Sequence, residues 1–256
     1  MKFHSAFFAF SVTVLAQTVI GPSKSAGRLE ETRLERVSVH AGTEGALREL
    51  SRTVLFRGVF GVESLGGPEP QLSMSEAETR LETIVQEICR QDPRYKVVQG
   101  ENPRLINLLA AEQNDAGQII LNFRLNRLDI VKDDWPQNVI ARLPEFSLEL
   151  RRYLALQYRA SGGKETSSPQ NAAAGMTTDV KPPHFEIHLE NVTVREALNA
   201  IAIHSLEMSL ATGVDPRLIS TPAEKQIFPT GWLFHVSDPA TLSLDAWQRA
   251  MFSPLP

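Results

Sequence analysis

The chain has 256 residues, 42% of them hydrophobic and 22% charged, with a formal net charge of -4. That apolar content is enough for one large core or two small ones, which excludes a disordered chain. The mildly acidic balance does not fit a basic nucleic-acid binder, and no block of like charge forms an acidic tail.

The N-terminus carries the sharpest local pattern. Met1-Lys2-Phe3-His4 gives a short basic start, and an apolar run follows from Ala6 to Ala16, broken only by Ser11 and Thr13. Val14-Leu15-Ala16 puts small or short side chains where a signal peptidase reads them, which places a cut after Ala16. The run is about half the roughly 20 residues that a membrane-spanning helix needs. Residues 1–16 therefore read as a signal peptide and 17–33, without periodicity, as a flexible lead-in. No later segment is apolar enough to span a bilayer, so no stable membrane insertion is expected once the signal is cut. Cys89 is the single cysteine, so no intramolecular disulfide forms. An exported chain of this kind fits a bacterial periplasm or bacterial secretion.

Leu34 to His40 reads as a strand, Thr43 as the N-cap of a helix with Ala46, Leu47, Leu50 and Val54 on one stripe, and Phe56 to Val62 as a second strand. Gly66-Gly67-Pro68-Glu69-Pro70 is a loop. Gln71 to Met74 reads as a short strand. Ser75 and Glu78 have capping-box spacing ahead of a helix that runs to about Arg90 and ends at Asp92-Pro93. Its apolar stripe is Leu81, Ile84, Val85, Ile88 and Cys89, which assigns Cys89 to the core. Tyr95 to Val98 and Leu105 to Leu109 make a hairpin around Gly100-Glu101-Asn102-Pro103. The order is β-α-β-β-α-β-β.

A similar order begins again near Ile119. Ile119 to Val131 reads as a strand, Asp134 as a cap with Pro136 in the first turn, and Ser147 as the cap of a helix carrying Leu150, Tyr153, Leu154 and Leu156. Residues 162–183 are rich in Gly, Ser, Ala, Thr and Pro and read as a flexible insertion. Phe185, Ile187 and Leu189 then alternate with Glu186, His188 and Glu190. Thr193 and Glu196 form a second capping box, and Val194, Ala197, Leu198, Ile201 and Ala202 form the stripe of the following helix. Glu207 to Leu210 and Gly231 to Val236 read as closing strands. Residues 237–256 form a C-terminal amphipathic segment in which Ser243 is the cap and Leu244, Trp247 and Met251 are apolar. The predicted class is α+β, built from small β-α-β-β-α-β modules with mixed sheets at 34–110 and 119–236. The recurring strand–capping-box–helix unit suggests an internal duplication.

The stretch Phe185-Glu-Ile-His-Leu-Glu-Asn-Val-Thr-Val-Arg-Glu-Ala-Leu-Asn-Ala-Ile-Ala resembles the secretin and TonB short N-terminal domain and related secretin ring modules. Val37 to Leu50 is a fainter match to the opening half of such a domain. The resemblance implies small β-α-β folds of the cell envelope that dock onto partner proteins. No secretin pore or TonB-dependent barrel accompanies it here, so only the fold and the docking habit carry over.

Candidate chemistry is sparse. His184, Glu186 and His188 share a strand face, but residues four apart on a strand are about 13 Å apart. Two histidines so placed cannot ligate one zinc at about 2 Å, and a site would need Glu186 with His204 or His235. Cys89 sits on an apolar face, which predicts an inert thiol. Asp133-Asp134 suits capping, no Gly-x-Ser-x-Gly elbow is present, and Gly66-Gly67 lacks the Lys-Ser/Thr of a phosphate loop. Gly58-Val59-Phe60-Gly61 has the letters of a nucleic-acid clamp but falls in a predicted strand. No catalytic residue, metal or cofactor is therefore assigned, and no nucleic acid is expected as partner. Arg151 and Arg152 beside Tyr153, and Trp247 with Met251, are the candidate interaction residues. The reading that follows is a non-enzymatic envelope module that binds another envelope protein, with an open sheet edge as the expected docking site. A hydrolytic enzyme with a dispersed site is the alternative. A glycan or cell-wall binder ranks lower, because only three Trp and three Tyr are present.

Overall fold

The computed structural model describes residues 13–15, 28–54, 57–65, 68–112, 120–134, 139–140, 142–160, 184–211, 231–238 and 241–246. Alternation in β2 (Arg33–Ala41) buries Val37, Val39 and Ala41 on one side. The stripe of α1 (Thr43–Thr53) buries Ala46, Leu47 and Leu50. Then come β3 (Val59–Ser64), β4 (Leu72–Arg80), α2 (Leu81–Gln91), β5 (Tyr95–Gln99) and β6 (Leu105–Ala110). This is the β-α-β-β-α-β-β order expected from the sequence, in an α+β fold. The second half supplies β7 (Arg124–Asp133), α3 (Leu148–Ala160), β8 (His184–Thr193), α4 (Val194–Ala211), β9 (Gly231–Asp238) and β10 (Thr241–Ala246). A short β1 (Thr13–Leu15) precedes them all.

The strands form a three-stranded sheet β1-β2-β4, a five-stranded sheet β10-β9-β3-β6-β5 and a two-stranded ribbon β7-β8. In the five-stranded sheet β3 runs parallel to both β6 and β9, so hairpins from the two halves flank one central strand. Its two faces serve different cores. Phe60, Val62, Ile106 and Leu108 pack with α1, α2, β2 and β4, whereas Val59, Leu105, Leu109 and Trp232 pack with α4, β7 and β8. Every residue of β6 is buried, which explains its unbroken run Leu-Ile-Asn-Leu-Leu-Ala.

Gly61 marks the closest approach across this sheet. A Cβ there would collide with Asn107 Oδ1 and would lie 2.5 Å from the Trp232 ring. Trp232 also donates its indole N–H to Asn199 Oδ1 at 2.7 Å, which ties β9 to α4. Close packing of neighbouring side chains, not a turn, is why glycine stands at this point.

Several elements differ from expectation, each for a tertiary reason. Ser75 and Glu78 do not form a capping box. They lie in β4, which stays paired to β2 as far as Arg33 opposite Arg80. The Leu81 N–H instead donates to the Thr32 carbonyl. The second capping box does form: the Thr193 backbone N–H and hydroxyl both donate to Glu196 Oε2, and the Glu196 N–H donates to Thr193 Oγ1 at 3.2 Å. The recurrence therefore lies in backbone form. Glu78 (φ 49°) and Asn191 (φ 52°) each put a left-handed kink three residues before a helix. Val194 N–H donates to the Phe123 carbonyl as Leu81 N–H does to Thr32, and Leu81, Ile84, Val85 and Ile88 hold the places taken by Val194, Ala197, Leu198 and Ile201.

Glu207 to Leu210 is not a strand; α4 continues to Ala211 because buried Leu206 extends the helical stripe from Ile201 and Ala202. The strand expected from Ile119 begins only at Arg124, after a helical turn at 120–122 in which the adjacent Ile120 and Leu121 are both buried. Ser243 is not a helix cap; it lies in β10, opposite His235 of β9. Ser147 does cap α3, accepting the Leu150 N–H at 3.2 Å. Residues 162–183 and 247–256 lie outside the described residues, and so does the turn expected at Pro136.

Thr193→Ala should destabilise the protein by about 1 kcal/mol in denaturant unfolding, while Ser75→Ala should stay within about 0.5 kcal/mol. Equal losses would show that both serve as caps. Gly61→Ala should cost about 1–3 kcal/mol through overpacking.

Candidate docking surfaces

The sheets end in edges of very different character. The outer edge of β4 is obstructed twice. The Gln91 side-chain amide accepts from the Ser73 N–H at 3.0 Å and donates to the Ser73 carbonyl at 3.1 Å, taking the place of a neighbouring strand. Farther along, the left-handed φ of 49° at Glu78 interrupts the extended backbone, and Glu78 drops out of the ladder with β2. The outer edge of β2 is open to a strand and holds one: β1 lies antiparallel on it, with Thr13, Val14 and Leu15 opposite Ser38, Val37 and Arg36.

The ribbon β7-β8 presents a charged face. From Arg127 onward, period-two alternation turns Leu128, Ile130, Phe185 and Ile187 into the second core, joined by Leu125 across a break at Asn126–Arg127, and leaves Arg127, Asp129, Val131, Asp133, His184, Glu186, His188 and Glu190 exposed. The register sets Asp129 opposite His188 and Asp133 opposite His184. His188 Nδ1 lies 2.6 Å from Asp129 Oδ1 and His184 Nδ1 2.7 Å from Asp133 Oδ1. The His188 hydrogen bond, joined by one from Arg127, holds the Asp129 carboxyl below its usual range. Each histidine is thus occupied by its cross-strand carboxylate. Glu186 stands 3.8 Å from His188 Nε2, and His204 bonds the backbone carbonyl of His184 through Nε2. No group of three metal-ligating side chains converges among the described residues.

The interaction residues read from the sequence divide. Arg151 and Arg152 are exposed on α3. Arg151 is committed locally, donating to the Glu145 carbonyl at 2.8 Å. Tyr153 turns inward and packs against the second core, its ring 5.3 Å from that of Phe123. Leu148 and Leu156, 56% and 62% exposed, share the outer face of α3 with the two arginines, so this stripe is apolar at both ends. Trp247 and Met251 lie outside the described residues. Among the described residues, no helix is long and apolar enough to cross a membrane.

Two further polar features are internal. Cys89 is half-buried against the first core, and burial pushes its thiol up to about 11, with Asp92 adding to the shift. A thiol so raised stays protonated at neutral pH and is a poor nucleophile. Asp92, 1% exposed, joins the end of α2 to the start of α1. It accepts from Thr43 Oγ1 at 2.6 Å and from Arg94 Nε and Nη2 at 2.8 Å. Thr43 is therefore spent on Asp92 and is not the cap of α1; the Glu44 N–H is met by Glu69 Oε1 at 3.3 Å. Burial raises the Glu69 carboxyl, and the Glu44 N–H only partly offsets it. For Asp92 burial also pulls upward, but the Arg94 and Thr43 hydrogen bonds outweigh it and hold the carboxyl below its usual range.

The strand-paired outer edge of β2 and the two His–Asp pairs were not singled out from the sequence. Alternation showed which side chains share a face, but the strand opposite each one depends on long-range pairing. No family model, curated protein or solved structure matches the chain.

Because the Asp92 carboxyl is depressed in the folded state, its contribution is present above the ordinary aspartate range and is lost as pH falls through the folded value. Asp92→Asn should lower stability at neutral pH by about 1–3 kcal/mol, and it should flatten the acid side of the stability–pH curve. Parallel curves for the two proteins, measured by urea unfolding between neutral and acid pH, would refute this role.

Proposed function

We propose that the chain is an exported, non-catalytic protein of the bacterial cell envelope that docks onto another envelope protein through a sheet edge. One observation carries the reading: the outer edge of β2 takes an extended apolar segment, Thr13–Leu15, as an added antiparallel strand. Strand addition uses main-chain hydrogen bonds for affinity and alternate side chains for specificity. The edge of β4 in the same sheet is obstructed by Gln91 and by the Glu78 kink, which directs addition to β2. The basic start, apolar run and Val14-Leu15-Ala16 motif support export, because they carry the parts of a signal peptide in order. The likeness of 185–202 to secretin and TonB short N-terminal domains supports an envelope setting.

The exposed stripe Leu148, Arg151, Arg152 and Leu156 is a further contact surface under this reading. Two leucines flanking two cations suit an apolar partner surface with an acidic rim.

The test is site-specific photo-crosslinking in intact cells. A photoreactive residue at Ser38, on the edge, is expected to give a discrete adduct with one envelope protein, and one at Glu82, on α2, is expected to give none. Cell fractionation with N-terminal sequencing should find the chain outside the cytoplasm and beginning at Gln17. A cytoplasmic chain with an intact Met1, or equal adducts from both positions, would overturn the proposal.

A further inference from the structure

The strand that covers β2 belongs to the segment an exported chain loses. β1 ends at Leu15, one residue before the cut expected after Ala16. The inner side of β2 is paired to β4 from Arg33 opposite Arg80 to Ala41 opposite Leu72, so loss of β1 leaves that ladder intact. The core members on β2 and β4, among them Val37, Val39, Leu72 and Met74, all lie beyond the cut and stay in the mature chain. What the cut changes is the outer row of β2 amide and carbonyl groups, those of Arg36 and Ser38, which becomes unpaired.

The edge also states what fits it. Val37 and Val39 face the core, while Arg36 and His40 face solvent. An incoming strand therefore sets the residue opposite Val37 on the core side and the residue opposite Arg36 on the solvent side. An aliphatic residue suits the first place, which in the register of the chain's own strand is position 14. A carboxylate suits the second, since opposite charges across a strand pair attract.

We infer that the mature chain binds an extended segment of another envelope protein as an antiparallel strand on β2, with an aliphatic residue opposite Val37 and an acidic residue opposite Arg36. The leader strand holds this edge closed until it is cut away. The inference rests on the exported reading above. A tethered strand acts at an effective concentration of about millimolar, so a separate segment competes poorly until the tether is gone.

The probe is a fluorescent peptide of residues 10–18, titrated by anisotropy into chains 17–256 and 1–256, each checked for cooperative thermal unfolding. Saturable binding to 17–256 is expected, at least about tenfold weaker to 1–256. The Val14→Pro peptide should not bind, and the Leu15→Glu peptide should bind up to about fivefold tighter than its parent. Amide exchange should slow at Arg36 and Ser38 on peptide addition. Absence of binding to folded 17–256, or equal binding of the Val14→Pro peptide, overturns the acceptor edge. Should 17–256 fail to fold, a full chain with a protease site between Ala16 and Gln17 is cut after folding and titrated in the same way. Self-association of 17–256 that the peptide reverses gives the edge to a second copy and overturns the assignment to another protein. Peptide binding in vitro with an uncut Ala16–Gln17 bond in cells overturns the gating and the export reading together. An adduct at Ser38 in cells without peptide binding overturns the strand acceptor alone and leaves docking in place.

Discussion

The burial of both faces of one sheet organises the whole molecule. β3 and β6 lie between two cores, so alternate side chains on the same strand answer to different halves of the chain. Phe60 and Val62 close the core built by α1 and α2, while Val59 and the close contact at Gly61 belong to the side of Trp232 and α4. A strand with two buried faces has no solvent face on which to put polar residues, and β6 is apolar throughout except for Asn107. The halves are thereby joined through backbone hydrogen bonds between β3 and β9 as well as through packing.

With the central sheet committed on both faces, variable chemistry is displaced to the flanks. The ribbon β7-β8 carries its charges outward in His–Asp pairs, and α3 carries leucines and arginines on its outer face. The β1-β2-β4 sheet keeps its capacity at the edge. Its two sides are treated differently: a glutamine side chain and a kink obstruct β4, and a separate strand occupies β2. Obstructing an edge by a side-chain amide prevents strand addition, whereas covering it with a short terminal strand allows it to be uncovered.

Much of this architecture was legible in the residues. The apolar stripe of α2, the alternation of Phe185, Ile187 and Leu189, and the Thr193–Glu196 capping box all depend on neighbours within a few positions, and all are present. The Ser75–Glu78 spacing is equally good locally, yet Ser75 pairs with Ser38 in a ladder. Thr43 has the right identity for a cap, but buried Asp92 claims its hydroxyl. Of the candidate site, the exposure of Arg151 and Arg152 agreed with helical spacing, and the inward turn of Tyr153 toward Phe123 did not follow from it.

The sequence by itself determined the class of the fold, the order of elements in the first half and the buried faces of α1, α2, β8 and α4. These follow from side-chain period and capping chemistry, which act over one or two turns. Only the tertiary structure decided that β9 and β10 join the sheet of β3, that β4 outlasts its local helix signal, that His188 meets Asp129 and that the edge of β2 holds β1. Each of those depends on backbone hydrogen bonds or side-chain contacts between residues far apart in the chain. Backbone donors and acceptors are the same in every residue, so no side-chain pattern specifies which strand will meet which.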